Sequence, residues 1–201
     1  MPTYLILTGV VLDRIACRYG PGDDYLYQFG LIKGNQMEVR GRVEVRLRRG
    51  NEIGTWLWGL AEGYPSPCWV NARDVQLDGD VSSLETVYPG KVKLPLTSNW
   101  PRPQNVKASR LGDQVSIFWD LYILPVGERE SEQSPRYIAE LWLCQGGKVV
   151  FTPIGVWEPP LVVTDETGCT EPSHGRLYLA EKHGYVGPVE IPWPSYATPT
   201  P

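Results

Sequence analysis

The chain has 201 residues, of which 42% are hydrophobic and 21% charged, with a formal net charge of −4. Its length allows one or two domains, and its composition is that of a globular rather than a disordered chain. The charge excludes the strong basic excess that a nucleic-acid partner demands, and no apolar run is long enough to span a membrane as a helix.

Nineteen prolines, 21 glycines and eight tryptophans are heavy usage for this length. Short strands joined by Pro/Gly turns fit that mixture, and no stretch carries a 3.6-residue apolar period long enough for a helix. An all-β fold is expected. Residues 1–97 hold 11 basic and 11 acidic side chains, and residues 98–201 hold 8 and 12, so neither half is basic. Cysteines at 17, 68, 144 and 169 allow three pairings. Their order suggests one bridge per domain, Cys17–Cys68 and Cys144–Cys169, which implies folding in an oxidising compartment. The alternative is four buried thiols.

In chain order, Tyr4 to Leu12 reads as a first strand. The run from Ala16 to Gly30 follows as strand, hard turn and strand, with Gly20-Pro21-Gly22 reversing the backbone because glycine accepts positive φ and proline presets its own. Tyr19, Tyr25 and Tyr27 flank that turn. Met37 to Leu47 alternates apolar and charged residues, a half-buried strand with Val43, Val45 and Leu47 inward. Arg48-Arg49-Gly50-Asn51 is its hairpin turn. The five arginines between Arg40 and Arg49 read as a solvated face interspersed with glutamates rather than a nucleic-acid patch. Thr55 to Leu60 returns with Trp56 and Trp58 on one face, filling a barrel or paving its outside. Cys68-Trp69-Val70 is a short closing strand, and Asn71 to Val75 follows it.

The run Cys17-Arg18-Tyr19-Gly20-Pro21-Gly22-Asp23-Asp24-Tyr25 resembles the opening motif of bacterial SH3-like domains of extracytoplasmic proteins. Gly30-Leu31-Ile32-Lys33-Gly34, the Trp-rich strand and Cys68-Trp69-Val70 follow in that family's order, and Asn71 to Val75 matches its one-turn 3₁₀ element. The resemblance covers residues 1–80. It implies a small barrel that binds a peptide, a cell-wall component or a protein partner. Tyr19, Tyr25, Tyr27, Trp56, Trp58 and Trp69 are then candidate walls of one ligand groove, since aromatic faces grip extended backbone. The competing reading places these rings in the barrel core.

Residues 81–100 are rich in turn residues and proline and read as a semi-extended linker. Beyond it, Gln104 to Ala108, Gln114 to Trp119, Arg136 to Trp142, Gly175 to Glu181 and Gly184 to Val189 read as strands, and Val126 to Gln133 as an exposed loop. The Pro-rich start, the inward Trp119 and the Gly184-Tyr185-Val186-Gly187-Pro188 approach are similar to fibronectin type III domains. That likeness covers residues 101–194 and implies an immunoglobulin/fibronectin-type β-sandwich, with Tyr178 as a corner tyrosine bonded to backbone. Cys144 and Cys169 are not part of the family's usual pattern. Residues 195–201 read as the start of a Pro/Thr-rich linker. The N-terminus lacks a basic region and does not read as a signal peptide. The chain is therefore expected to be a piece of a longer secreted, periplasmic or cell-surface precursor, monomeric in isolation.

Signals for chemistry are few. Cys169 with His174 is the one local nucleophile–base pair, and a disulfide would abolish it. No Cys-x-x-Cys suggests zinc, Asp23-Asp24 and Asp78-Gly79-Asp80 lack the ligand density of a calcium loop, and no phosphate loop occurs. No cofactor, no metal and no enzymatic activity are expected. The expected role is non-catalytic recognition; the rival is a passive spacer in a larger surface protein.

Overall fold

The structure, a computed structural model, describes residues 5–46 and 52–196. Leu47, the expected turn at 48–51 and the C-terminal 197–201 lie outside the described residues. The fold is all-β: three antiparallel sheets, divided between two compact units of residues 1–95 and 96–201.

The first unit contains β1 (Leu7–Val11), β2 (Ile15–Arg18), β3 (Tyr27–Leu31), β4 (Gln36–Arg46), β5 (Ile53–Ala61), β6 (Cys68–Asn71) and β7 (Val75–Leu77). They form one sheet in the order β3-β2-β6-β5-β4-β1-β7. Every strand sends a side chain into a single core: Val11, Cys17, Leu31, Met37, Leu57, Val70 and Val75 represent β1 to β7 in turn. A flat sheet cannot converge its strands in this way, so the sheet coils around its own interior. Between β6 and β7 a one-turn 3₁₀ element, Ala72–Asp74, is capped by Asn71, whose side chain accepts the Arg73 N–H at 3.1 Å.

The stretch 81–100 is not a linker. Leu84 belongs to the first unit's core, and the segment after it runs beside β4. Arg42 N–H donates to Glu85 O at 2.9 Å and Val87 N–H donates to Arg42 O at 3.1 Å. Apolar residues at 84 and 87 bury more area against a sheet than they would in a free strand of chain. From Leu96 onward the chain belongs to the second unit, where Thr97 N–H donates to Tyr185 O at 2.8 Å.

The second unit contains β8 (Lys107–Leu111), β9 (Gln114–Phe118), β10 (Tyr137–Gln145), β11 (Lys148–Val156), β12 (Leu161–Thr164), β13 (His174–Glu181) and β14 (Gly184–Glu190). One sheet has the order β11-β10-β13-β14 and the other β12-β9-β8. Their facing sides interdigitate around Val115, Ile117, Trp119, Tyr137, Leu141 and Leu177, a sandwich core. Trp119 packs edge-on against Tyr137 with ring centroids 5.2 Å apart. Tyr137, not Tyr178, makes the bond back to the main chain: its hydroxyl accepts the Tyr122 N–H at 2.7 Å. Tyr178 instead lies beside Glu140, whose charge adds to burial in pushing its hydroxyl pKa up. Ser195 and Tyr196 are part of this unit rather than a linker, because the Tyr196 hydroxyl donates to the carbonyls of Asp165 and Glu166.

Both disulfides join the expected partners, Cys17–Cys68 and Cys144–Cys169, one in each unit. With sequence separations of 51 and 25, loop entropy assigns them roughly 4 and 3.5 kcal/mol.

Candidate functional site

Strand alternation sorts the aromatic residues of the first unit. Leu57 and Ala61 on β5, and Cys68 and Val70 on β6, enter the core, so Trp56, Trp58 and Trp69 lie on the opposite face of the sheet. Trp58 and Trp69 are direct cross-strand partners, and Val43 pairs with Trp56. The tryptophans pave the outside of the coiled sheet. Val43 and Val45 share that face, although their burial matches the alternation.

That face is not one open groove of six rings. Trp56 and Trp69 are 2% and 1% exposed and Tyr25 is 1% exposed, whereas Tyr27 is 49% exposed. Tyr19 and Trp58 are half-buried. Trp69 is covered edge-on by Tyr88, with ring centroids 5.7 Å apart. Tyr25 lies flat over Gly20, where a Cβ would come within 2.2 Å of its ring. Gly20 and Gly22 do not take positive φ, so Gly20 is required by this close approach and not by a left-handed turn. Buried rings offer no face to a visitor, which removes Tyr25, Trp56 and Trp69 from the expected groove.

Trp58 does line an opening. A cavity of about 400 Å³ is bounded by Trp58, Ile6, Val87, Val92, Arg40 and Lys91. It sits where β4 is irregular: the register against β5 shifts between Val39 and Gly41, leaving Arg40 as the extra residue. Opposite Trp58 stands Gly41, whose missing side chain admits Val87; a Cβ there would lie 2.5 Å from Val87 Cγ1. The result is an apolar hollow with an indole wall and two cations at its edge. Arg40 is paired with Glu38 at 2.6 Å, and Lys91 with Glu85.

The second unit holds a feature that sequence reasoning missed. Asp165 is fully buried just beyond β12 and gathers four donors. The Cys144 N–H lies at 2.8 Å, Ser173 Oγ at 2.6 Å and Trp193 Nε1 at 3.0 Å, with the Arg110 guanidinium completing the set. Burial alone would raise the carboxyl pKa, but the bonds from Ser173, Arg110, Cys144 and Trp193 outweigh it and hold the group below its ordinary value. Beside this hub opens a cavity of about 470 Å³ walled by the Cys144–Cys169 bridge, Trp193, Tyr196 and the carboxylates of Glu166 and Glu171. No short motif announces it, because β8, β10, the 165–173 connection and the C-terminal segment each contribute one piece.

The remaining candidates have structural occupations. Cys169 is bonded to Cys144, and His174 stacks on Trp142 with centroids 4.7 Å apart, so the two do not form a thiol–imidazole pair. Asp78 accepts the Thr8 N–H at 2.9 Å, and Asp80 caps a 3₁₀ turn through the Ser82 N–H at 2.9 Å. Glu128, Glu181 and His183 bring one ligand atom each within 4.8 Å of one another. Their carboxylates are already engaged, Glu128 by Lys182 Nζ at 2.9 Å and Glu181 by the His183 N–H at 2.9 Å. Among the described residues, no helix is long and apolar enough to cross a membrane. No family model, no curated protein and no solved structure matches the chain.

Proposed function

We propose that this protein is a non-catalytic recognition module working outside the cytoplasm. Its first unit, read as an SH3-like barrel, grips a peptide, a cell-wall component or a protein partner, and the second, read as a fibronectin type III-like sandwich, positions it. The observation that carries this reading is the Trp58 hollow: an indole beside aliphatic walls and cationic edges, next to a strand bulge, matches the chemistry of peptide grooves. The coiling of all seven strands around one core supports the barrel likeness, and the pairing of strands into sheets of four and three supports the sandwich likeness. Both disulfides are compatible with an extracellular location.

The test is retention of the intact protein on purified bacterial cell wall, followed by substitution. Trp58→Ala should weaken retention roughly tenfold or more, as a central aromatic anchor does, while leaving the melting temperature nearly unchanged. Trp69→Ala, by contrast, should cost about 3 kcal/mol of stability because its ring is buried. Absence of retention, or retention indifferent to Trp58→Ala, returns the protein to the rival role of a spacer.

A further inference from the structure

The cavity beside Asp165 belongs to neither the Trp58 hollow nor the reading built on it. Its charge state follows from who is already bonded to whom. Asp165 and Arg110 neutralise each other, with side-chain exposures of 0% and 6%. Four of the five Arg110 N–H groups are engaged within the protein: beside the ion pair, three reach the carbonyls of Pro194 at 3.3 Å, Gly112 at 3.4 Å and Asp165 at 3.0 Å, and the guanidinium lies 3.7 Å above the Tyr196 ring. The charge of the one cation among the cavity's described lining residues is therefore already matched by Asp165.

What remains at the wall accepts hydrogen bonds. Glu166 uses one carboxylate oxygen on the Gly146 N–H at 2.6 Å, and Glu171 makes no hydrogen bond or ion pair among the described residues. The hydroxyls of Thr170 and Ser195 add smaller dipoles, and Trp193 supplies an aromatic surface. Two carboxylates without a counter-cation, beside an indole, attract a positively charged group and repel an anion. The volume of about 470 Å³ is that of a small-ligand site rather than of a water pocket. The Cys144–Cys169 bridge and the four bonds converging on Asp165 hold the Trp193 side of the cavity in place.

From this arrangement we infer that the second unit carries its own binding site, for a peptide bearing a primary amine or guanidinium of the lysine or arginine type. The cation sits between Glu166 and Glu171, and its aliphatic stem lies against Trp193.

The test uses the full chain and titrates trilysine, triglutamate and the neutral trisaccharide of N-acetylglucosamine in parallel. Binding is read by calorimetry and by the indole N–H resonance of Trp193, identified as the signal lost in Trp193→Phe. Trilysine should shift that resonance and bind with an affinity that falls as salt is raised. Glu171→Gln should weaken it about threefold, the size of one solvent-exposed charge contact, without altering the melting temperature, since Glu171 is exposed. Trp58→Ala should leave it unchanged, which separates this site from the first. Trilysine that fails to shift the Trp193 signal overturns the proposal, as does binding indifferent to Glu171→Gln. A trisaccharide or triglutamate that binds as well as trilysine overturns it too, by showing that charge is not what the cavity reads.

Discussion

Asp165 illustrates how much one buried carboxylate can organise. It ties β8 through Arg110, β10 through the Cys144 N–H, the 165–173 connection through Ser173 and the C-terminal segment through Trp193. Asp165→Asn keeps the shape but removes the charge that compensates Arg110. Loss of one partner of a buried pair typically costs about 3–5 kcal/mol, and urea unfolding at neutral pH should show a drop of that order. The pH dependence has a definite sign. Because the folded-state pKa lies below the ordinary value, the stabilisation is complete above the unfolded-state pKa of about 3.9 and is lost as pH falls through the folded value. The parent protein should therefore weaken in acid more steeply than Asp165→Asn does, and parallel acid limbs in the two proteins would contradict this account.

Among the elements, the pairing of β4 with the segment that follows Leu84 decides the candidate site. Val87 can reach the sheet only because residue 41 has no side chain, and Val87 is itself a wall of the Trp58 hollow. Gly41→Ala places a methyl 2.5 Å from Val87 Cγ1, and the segment must shift to admit it. Overpacking of this kind costs about 1–3 kcal/mol, so thermal unfolding should register a loss in that range and ligand retention should fall with it. An unaltered melting temperature would mean that Val87 has room to move aside at no cost. The same logic explains the strands that pattern reading passed over. β11 carries Pro153 and loses its clean alternation, because eight of its nine residues are half-buried or buried without regard to parity, and β12 is only four residues long. Neither presents a period of two over enough residues to stand out.

At the scale of the molecule, two compact units meet in sequence at residues 95 and 96, not at a separate linker. Residues 81–95 contribute Leu84 to the first core and main-chain bonds to β4, so a fragment ending at residue 80 is incomplete. Burial of Leu84 alone is worth about 1.5–3 kcal/mol, and fragment 1–95 should melt well above fragment 1–80 in calorimetry. Equal melting temperatures would show that the segment is an ornament on the sheet rather than part of it.

Composition and local pattern carried the all-β class, the hard turn near Gly20 and the order in which the four cysteines pair. Each depends on residues close together in the chain or on their simple succession, and a linear reading has access to both. The division of the aromatics was not legible in this way. Period two places Trp56 and Trp58 on one face, but that Trp69 joins them through the β5–β6 register, and whether that face is open, which depends on where residues 84–92 run, are long-range facts. The Asp165 hub was hidden for the same reason. A carboxylate that collects donors from Arg110, Cys144, Ser173 and Trp193 has no signature at any one position, because its meaning lies in the convergence of distant segments. Local propensity determined what kinds of element form; only the tertiary structure decided which side chains they bury and which they leave facing a cavity.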